Sequence, residues 1–276
     1  MAALWRSISY EELTSSPKVR TEPCLVTGIE VLEELWTPDT MVAQVSDVEV
    51  PIVHISGGDY VGGVRRQRSV GDYFNEISRE VPSDPIPYLA ELSYDEHFPG
   101  LAAQLVAPPN IPGETFIQRV MYFGRGVHSQ IHFHTGGSAM LFCIHGTKVV
   151  RLFAPDQSAN LYKVRARNFS RVLVSSVGEN SYDYDVEEYP DFADAEYVEY
   201  EVSAGEALYI PIHWWHSIQN LEDISLTAVY FWNQSWKDTW RDFAPPELPP
   251  RGMRLDYGRN LAYRYVVNPI KSLRKR

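Results

Sequence analysis

Six short runs rich in Val, Ile, Leu and aromatic residues dominate the chain between residues 116 and 233. Runs of six to ten such residues, bounded by turn-forming residues, are typical of buried strands, whereas a helix needs a longer periodic pattern. Six of them in one stretch indicate a β-sandwich or a jelly roll. The runs occupy residues 116–124, 129–134, 139–145, 148–155, 206–212 and 224–233.

A chain of 276 residues can form one large β domain or two smaller units. We predict a single domain that is mainly β with peripheral helices. Its parts are a mixed α/β support (residues 1–115), the β core (116–234) and a C-terminal arm (235–276). The arm holds four prolines between positions 245 and 250, so we expect it to wrap around the core or around a second copy in a homodimer.

Four segments of the N-terminal part carry local signals. Residues 47–56 alternate apolar and polar positions, as a strand does, and Ser69 can cap a short helix that follows it. Residues 23–36 predict a strand followed by a helix. Residues 57–68 contain four glycines, which break regular structure, and predict a long loop.

Charge and cysteine content disfavour several classes of protein. With 36 acidic and 25 basic residues the net charge is −11, which repels a nucleic-acid backbone. We interpret the basic runs at 65–68 and 271–276 as a solvated loop and a chain end. Cys24 and Cys143 are too few for a disulfide framework or a cysteine-based zinc site. The chain has no run of 18 apolar residues and no apolar signal core at its start, so we expect a cytoplasmic protein without a membrane span.

An acidic segment covers residues 179–201, where ten acidic and six aromatic residues occur within 23 positions. One interpretation is a solvated loop that its aromatic side chains hold against the protein. The alternative is a recognition surface for a cationic substrate.

Six of the eight histidines lie between residues 128 and 216. His132 and His134 are two residues apart in a predicted strand, so their side chains point to the same side. His216 follows the end of another strand and can supply a third imidazole for a metal ion that keeps open positions. His213 is an alternative third ligand. By itself, a pair of histidines in a strand belongs more often to a packed or exposed face than to a metal site. Only its combination with His216, later in an all-β chain, favours a metal site.

Lys148 begins one of the runs and shares a strand face with Val150 and Leu152. An ammonium group on an apolar face needs a buried anion as its partner. The alternative is a lysine whose head reaches water at the start of the strand.

Four segments resemble the JmjC or cupin-like family: residues 126–134, 144–155, 205–216 and 230–232. They occur in the family's motif order, and GEALYIPIHWWH in the third segment is the most specific. The family includes asparaginyl hydroxylases and tRNA wybutosine hydroxylases. Its members are double-stranded β-helix (jelly-roll) enzymes that use Fe(II), 2-oxoglutarate and O₂, so the resemblance implies a single catalytic domain of that fold.

The resemblance also implies roles for individual residues. His132 and His216 match iron ligands, and Lys148 matches the lysine that pairs with the far carboxylate of 2-oxoglutarate. Ser129 matches a hydroxyl that helps to hold the same carboxylate. Tyr122 and Trp232 are candidate walls of the pocket, with core packing as an equal alternative for both.

His134 departs from the family pattern, which is His-x-Asp or His-x-Glu. An imidazole in place of a carboxylate removes one negative charge from the metal's ligands, so a dianionic co-substrate is attracted more strongly. A set of three histidines also resembles the sites of other cupin dioxygenases and of catalytic zinc.

Three functions are therefore open. The first is an Fe(II)- and 2-oxoglutarate-dependent oxygenase that oxidises, and in the simplest case hydroxylates, a small molecule or a peptide with release of succinate and CO₂. The second is a three-histidine cupin dioxygenase that works without 2-oxoglutarate. The third is a non-catalytic cupin-like module whose metal is structural. We expect a substrate to bind at the mouth of the barrel, near Tyr60, Tyr94 and the acidic segment.

Overall fold

The computed structural model describes residues 6–15, 20–56, 59–79, 84–134, 136–164, 170, 176–178, 181–221 and 224–234. Within these residues the chain is mainly β. The helices are α1 (Tyr10–Ser15), α2 (Pro38–Val45), α3 (Val70–Arg79), α4 (Tyr94–His97) and α5 (Pro99–Ala102). The strands are β1 (Ser7–Ser9), β2 (Cys24–Thr27), β3 (Glu49–Ser56), β4 (Asp59–Ser69), β5 (Ile86–Ser93), β6 (Glu114–Gly124), β7 (His132–Phe133), β8 (Ala139–His145), β9 (Thr147–Phe153), β10 (Ser176–Gly178), β11 (Ser181–Asp183), β12 (Val198–Ser203), β13 (Ala207–Ile210), β14 (Trp215–Asn220) and β15 (Ser225–Gln234).

Two sheets form the body of the protein. The major sheet has nine strands in the order β1-β2-β13-β8-β15-β6-β5-β3-β4, and the minor sheet has four in the order β12-β9-β14-β7. A cluster of buried side chains includes Val120, Leu141 and Val229 from the major sheet and Val150 and Leu152 from the minor sheet. This shared core shows that the two sheets face each other, as in a jelly roll, and the predicted fold class is confirmed.

The helices cover the other face of the major sheet. A second and larger cluster joins Met41 of α2 and Tyr73 of α3 to Phe142, Tyr230 and other side chains of the central strands. Because the central strands of the major sheet are buried on both faces, their sequences read as continuous apolar runs without clear alternation.

Local chemistry explains where two of the helices begin. The Thr37 hydroxyl accepts a hydrogen bond from the Thr40 backbone N–H, and the Thr40 hydroxyl accepts one from the Thr37 N–H, which makes a reciprocal cap for α2. The Ser69 hydroxyl accepts a hydrogen bond from the Asp72 N–H at the start of α3, so the predicted short helix is confirmed.

Two local predictions are wrong. The glycine-containing stretch 57–68 is not a loop, because Asp59–Ser69 forms edge strand β4, which pairs with β3. A side chain at Gly63 would lie 2.4 Å from a methyl group of Val53, so this glycine permits close contact between the strands. Within 23–36 only strand β2 forms, in the first half, and the second half has no helix.

The remaining predictions about the chain's organisation have different outcomes. The C-terminal arm, residues 235–276, lies outside the described residues. The division of the chain into a support, a core and an arm stays a prediction. Of the helices that the structure describes, none has the length and apolar character needed to cross a membrane.

Candidate metal centre and its pocket

Three histidines meet at one edge of the minor sheet. His132 in β7 lies directly opposite His216 in the antiparallel partner strand β14, and His134 follows β7 on the same side as His132. The ring centroids of His132 and His134 lie 4.3 and 4.7 Å from that of His216. One nitrogen from each ring can be chosen so that all three lie within 4.8 Å of one another, which is a separation that one metal ion can bridge.

Hydrogen bonds to the backbone fix the orientation of two of the rings. His132 Nδ1 lies 2.8 Å from the carbonyl oxygen of Gln130, and His216 Nδ1 lies 3.0 Å from that of Trp214. Because a carbonyl oxygen only accepts, each Nδ1 carries the proton and each Nε2 keeps a free lone pair. This arrangement is the usual support of a metal-binding histidine. His134 Nδ1, in contrast, is buried and has no hydrogen-bond partner within the part of the chain that the structure describes.

Burial keeps the three imidazoles neutral. Burial lowers the pKa of His132. It lowers the pKa of His134 to about 3, with a smaller contribution from His132. It lowers the pKa of His216 well below the usual range, and His132 and His134 add to this effect. A metal ion requires unprotonated imidazole, so at neutral pH the site needs no proton release before it binds a cation.

The alternative ligand His213 does not belong to this group. It is completely buried, its backbone N–H donates to the His134 carbonyl oxygen, and its ring packs 6.2 Å from that of Phe133. Its backbone has a φ of 69°, a left-handed conformation that is uncommon for a residue with a side chain. Through this backbone hydrogen bond, His213 supports the loop that carries His134.

A network of buried polar groups anchors the segment that follows His134. Ser138 donates a hydrogen bond to the Glu114 carboxylate, which also pairs with Arg20 at 3.0 Å and accepts from the Tyr209 hydroxyl at 3.2 Å. The side chains of Arg20 and Glu114 are only 5% and 3% exposed. Because the Glu114 carboxylate is enclosed and bonds to three different side chains, it holds the segment against the major sheet.

A cavity of about 550 Å³ opens in front of the histidines, between the two sheets. Such a volume suits a small ligand or a side chain together with a co-substrate. Its walls are mainly apolar, and its described lining includes His132, His134, His216, Lys148, Ser129, Tyr88, Tyr122, Val120, Leu141, Ile210, Asn220, Thr227, Val229, Phe231, Glu91 and Ile117.

Lys148 lines this cavity as a buried cation. Its side chain is 1% exposed, and its ammonium group donates to Asn220 Oδ1 at 2.5 Å and to the Ser225 hydroxyl at 3.2 Å. No described carboxylate pairs with it. Burial lowers its pKa from 10.5 to about 8, and the nearby Cys143 thiol opposes this shift. Because the described partners of this cation are neutral, an anion that enters the cavity would be stabilised by its charge.

Other candidate residues line the same cavity. The Ser129 hydroxyl accepts a hydrogen bond from the Ile218 backbone N–H at 2.9 Å, which links it to β14. The ring of Tyr122 lies 6.1 Å from that of Tyr88. Thr227 was not identified from the sequence, yet its buried hydroxyl lines the cavity without a hydrogen-bond partner among the described residues.

Trp232 borders the cavity, but its indole ring packs in the larger cluster, near Phe116, and its N–H donates to the Pro109 carbonyl oxygen at 3.2 Å. The aromatic ring that faces the histidines belongs to its neighbour Phe231, 5.3 Å from His134. Neighbouring residues of a strand point to opposite faces, so the two aromatic side chains serve different sides of β15.

The expected mouth of the cavity needs correction. Tyr94 is completely buried in the larger cluster, with its ring near Trp36 and Phe98. Nothing is described for the side chain of Tyr60. In the described part of the acidic segment, Tyr184 and Phe192 pack against the outer face of the minor sheet, and no residue of this part lines the cavity. The interpretation as a loop held by its aromatic residues fits this arrangement.

Comparison with known proteins identifies the family. A model of the family described as "Cupin-like domain" matches residues 20–238. The chain belongs to the cupin-like domain family. The match includes the three histidines, Lys148 and all strands of both sheets except β1, so the resemblance to JmjC or cupin-like proteins is confirmed.

Three relatives illustrate how far the similarity of this cupin-like chain extends. Lysine-specific demethylase 8 of Xenopus tropicalis is 30% identical over 54% of this chain and 33% of its own length. JmjC domain-containing protein D of Dictyostelium discoideum is 23% identical over 78% and 53%. HSPB1-associated protein 1 of Homo sapiens is 26% identical over 42% and 24%. The matched regions thus span between about a quarter and about half of these relatives.

Proposed function

We propose that this cupin-like protein is an Fe(II)- and 2-oxoglutarate-dependent oxygenase that oxidises a small molecule or a peptide. One observation carries the proposal: a buried ammonium group without a described carboxylate partner lines the same cavity as three neutral, converging imidazoles. A ligand that binds a metal at one end and carries a carboxylate at the other satisfies both groups. JmjC-type relatives support the same class of reaction.

The polar groups near Lys148 suit the far carboxylate of such a ligand. Its ammonium group would supply a charge-assisted hydrogen bond, and the Thr227 hydroxyl, which has no partner among the described residues, can donate a second one. Both groups are already held by packing, so little side-chain freedom is lost when the anion binds.

The histidines fit the metal by the chemistry of their donor atoms. His132 and His216 present lone pairs whose directions are set by backbone carbonyls, and His134 adds a third imidazole. A bound Fe(II) ion would supply the oxidative chemistry with O₂. The protein's own contribution is to orient the reactants and to exclude water, for which Val120, Leu141 and other apolar side chains line the cavity.

The test is anaerobic titration of the Fe(II)-loaded protein with 2-oxoglutarate, read by the visible charge-transfer band, followed by measurement of succinate in air. Metal affinity is measured separately by calorimetry. We expect a band in the wild type, and a loss of 2-oxoglutarate affinity of at least tenfold in Lys148→Met with metal affinity retained. Arg66→Met removes an exposed cation from β4 and serves as the matched control. Bound metal without any band would refute the proposal.

The second candidate is a cupin dioxygenase that binds its substrate directly to the metal. The histidine at position 134 favours it, because such sites commonly have three imidazoles and no carboxylate. The two candidates differ in their products, since only the first converts 2-oxoglutarate to succinate. The variant His134→Asp is informative here. Under the first proposal, His134→Asp keeps the charge-transfer band. Under the second, the wild type turns over its substrate without consuming 2-oxoglutarate, and His134→Asp abolishes that turnover.

A further inference from the structure

Two residues at the edge of the cavity sit in irregular positions of neighbouring strands. Between Leu89 and Leu92, strand β5 holds one more residue than β6 does opposite it, and Glu91 lies in this bulge. In β6, Ile117 is the extra residue opposite the step from Phe231 to Trp232. Bulges at the rim of a barrel redirect side chains, and both of these residues line the cavity.

Glu91 adopts a backbone conformation that a glutamate rarely takes. Its φ is 57°, in the left-handed region where glycine is favoured. Nothing in the packing requires a long side chain there, since the side chain is 52% exposed. A strained residue that does not serve the core points to a role in binding.

The charge of Glu91 is unique in its surroundings. It is the only carboxylate among the described residues that line the cavity, and Lys148 is the only lysine or arginine. The two charges divide the cavity into a buried site for an anion and an open edge that favours a cation. Tyr122, which lies opposite this bulge in β6, and Val120 also line the cavity, and both can contact an apolar stem.

We propose that Glu91 recognises a positively charged group, an ammonium or a guanidinium on an aliphatic stem, in the substrate of this site. This inference rests on the proposed function only in treating the cavity as the place where substrate binds. Arg65 is the present partner of Glu91, at 3.9 Å and with a side chain that is 45% exposed. Such an exposed and long contact is weak, so Arg65 acts as a replaceable occupant that an incoming cation displaces.

The test uses the metal-free full chain and two near-isosteric probes, n-butylguanidinium and the neutral n-butylurea. Dissociation constants are measured by calorimetry and ligand-observed NMR at low salt. We expect the cation to bind wild type roughly fivefold more tightly than the urea, and Glu91→Gln to remove this preference. Arg65→Met is expected to increase it, because the competing guanidinium is gone. Glu201→Gln, an exposed glutamate on β12 in the minor sheet, is the control and should change nothing.

A second variant separates binding from structure. Glu91→Gly relieves the strain of the left-handed backbone, so the concentration of urea that unfolds half of the protein should rise. The preference for n-butylguanidinium over n-butylurea should be lost. Equal binding of both probes to wild type, or an unchanged preference in Glu91→Gln, would overturn the inference. Because no metal or 2-oxoglutarate is present, these outcomes are independent of whether the oxygenase proposal holds.

Discussion

Replacing Lys148 by Met should make the metal-free protein more stable at neutral pH. The native state keeps this ammonium group in a buried position, and the drop of its pKa from 10.5 to about 8 corresponds to roughly 3 kcal/mol of lost stability. Methionine fills a similar volume without a charge. It also loses the hydrogen bonds to Asn220 and Ser225, which offset roughly 1–2 kcal/mol. The expected net gain in the free energy of unfolding is therefore about 1–2 kcal/mol.

The pH dependence gives the sign of the effect. The pKa of Lys148 is lower in the native state than in the unfolded state, so between pH 8 and 10.5 the unfolded chain binds more protons. The stability of the wild type, relative to the variant, must then rise with pH across this window. Burial raises the pKa of the neighbouring Cys143 thiol to about 11, so this thiol stays neutral there. Urea unfolding of both proteins at pH 7, 8, 9 and 10 measures the difference.

The advantage of Lys148→Met should be constant below pH 8 and should shrink as the pH rises toward 10.5. Addition of glutarate, a dicarboxylate without a keto group, should stabilise the wild type but not the variant, because only the wild type has a cation to bind it. A variant that is less stable at pH 7, or a difference that does not change with pH, would refute the reasoning.

Three further predictions concern the support of the site. Glu114→Gln leaves the buried Arg20 guanidinium without a counter-charge, and we expect a loss of about 3 kcal/mol by urea unfolding. Gly137→Ala would place a methyl group 1.7 Å from a carbonyl oxygen of β15, so the adjacent loop that carries His134 must shift. The affinity for Co(II), measured by calorimetry, should then fall at least tenfold. Gly100→Ala, whose methyl group would meet nothing within 4 Å, is the control. Thr37→Ala removes the cap of α2 and should cost about 1 kcal/mol in thermal unfolding.

The sequence predicts those strands whose side chains are chemically distinctive. β8, β9 and β15 are rich in aliphatic and aromatic residues, and all three form close to the expected bounds. β14 was not predicted, because its sequence, WHSIQN, contains a single β-branched residue and its stability comes from pairing with β7 and β9. β4 was hidden by its glycines, of which Gly63 permits close contact with β3.

The candidate site was only partly accessible from the sequence. His132 and His134 follow from the period of a strand, and Lys148 follows from an ammonium on an apolar face. Trp232 was expected as a wall of the pocket, whereas the ring that faces the histidines is that of Phe231. Both faces of β15 are buried, so its apolar run does not show which of its aromatic residues faces the cavity. The position of Glu91 at the cavity depends on a β-bulge. Bulges arise from the pairing of strands that are distant in sequence, which no local pattern encodes.

The division of the cavity between the two sheets has a consequence for how proteins of this kind diversify. His216 pairs with Leu152 and Asn220 pairs with Lys148, so the backbone positions of His216 and Lys148 lie four residues apart along one pair of strands, about 13 Å in the strand direction. Under the proposed function this spacing would limit the length of the co-substrate, and it is fixed by strand pairing within the minor sheet. The bulged residues at the mouth belong to the major sheet. Under the proposed function, mutations there would change which substrate binds without altering the distance between His216 and Lys148 in the minor sheet.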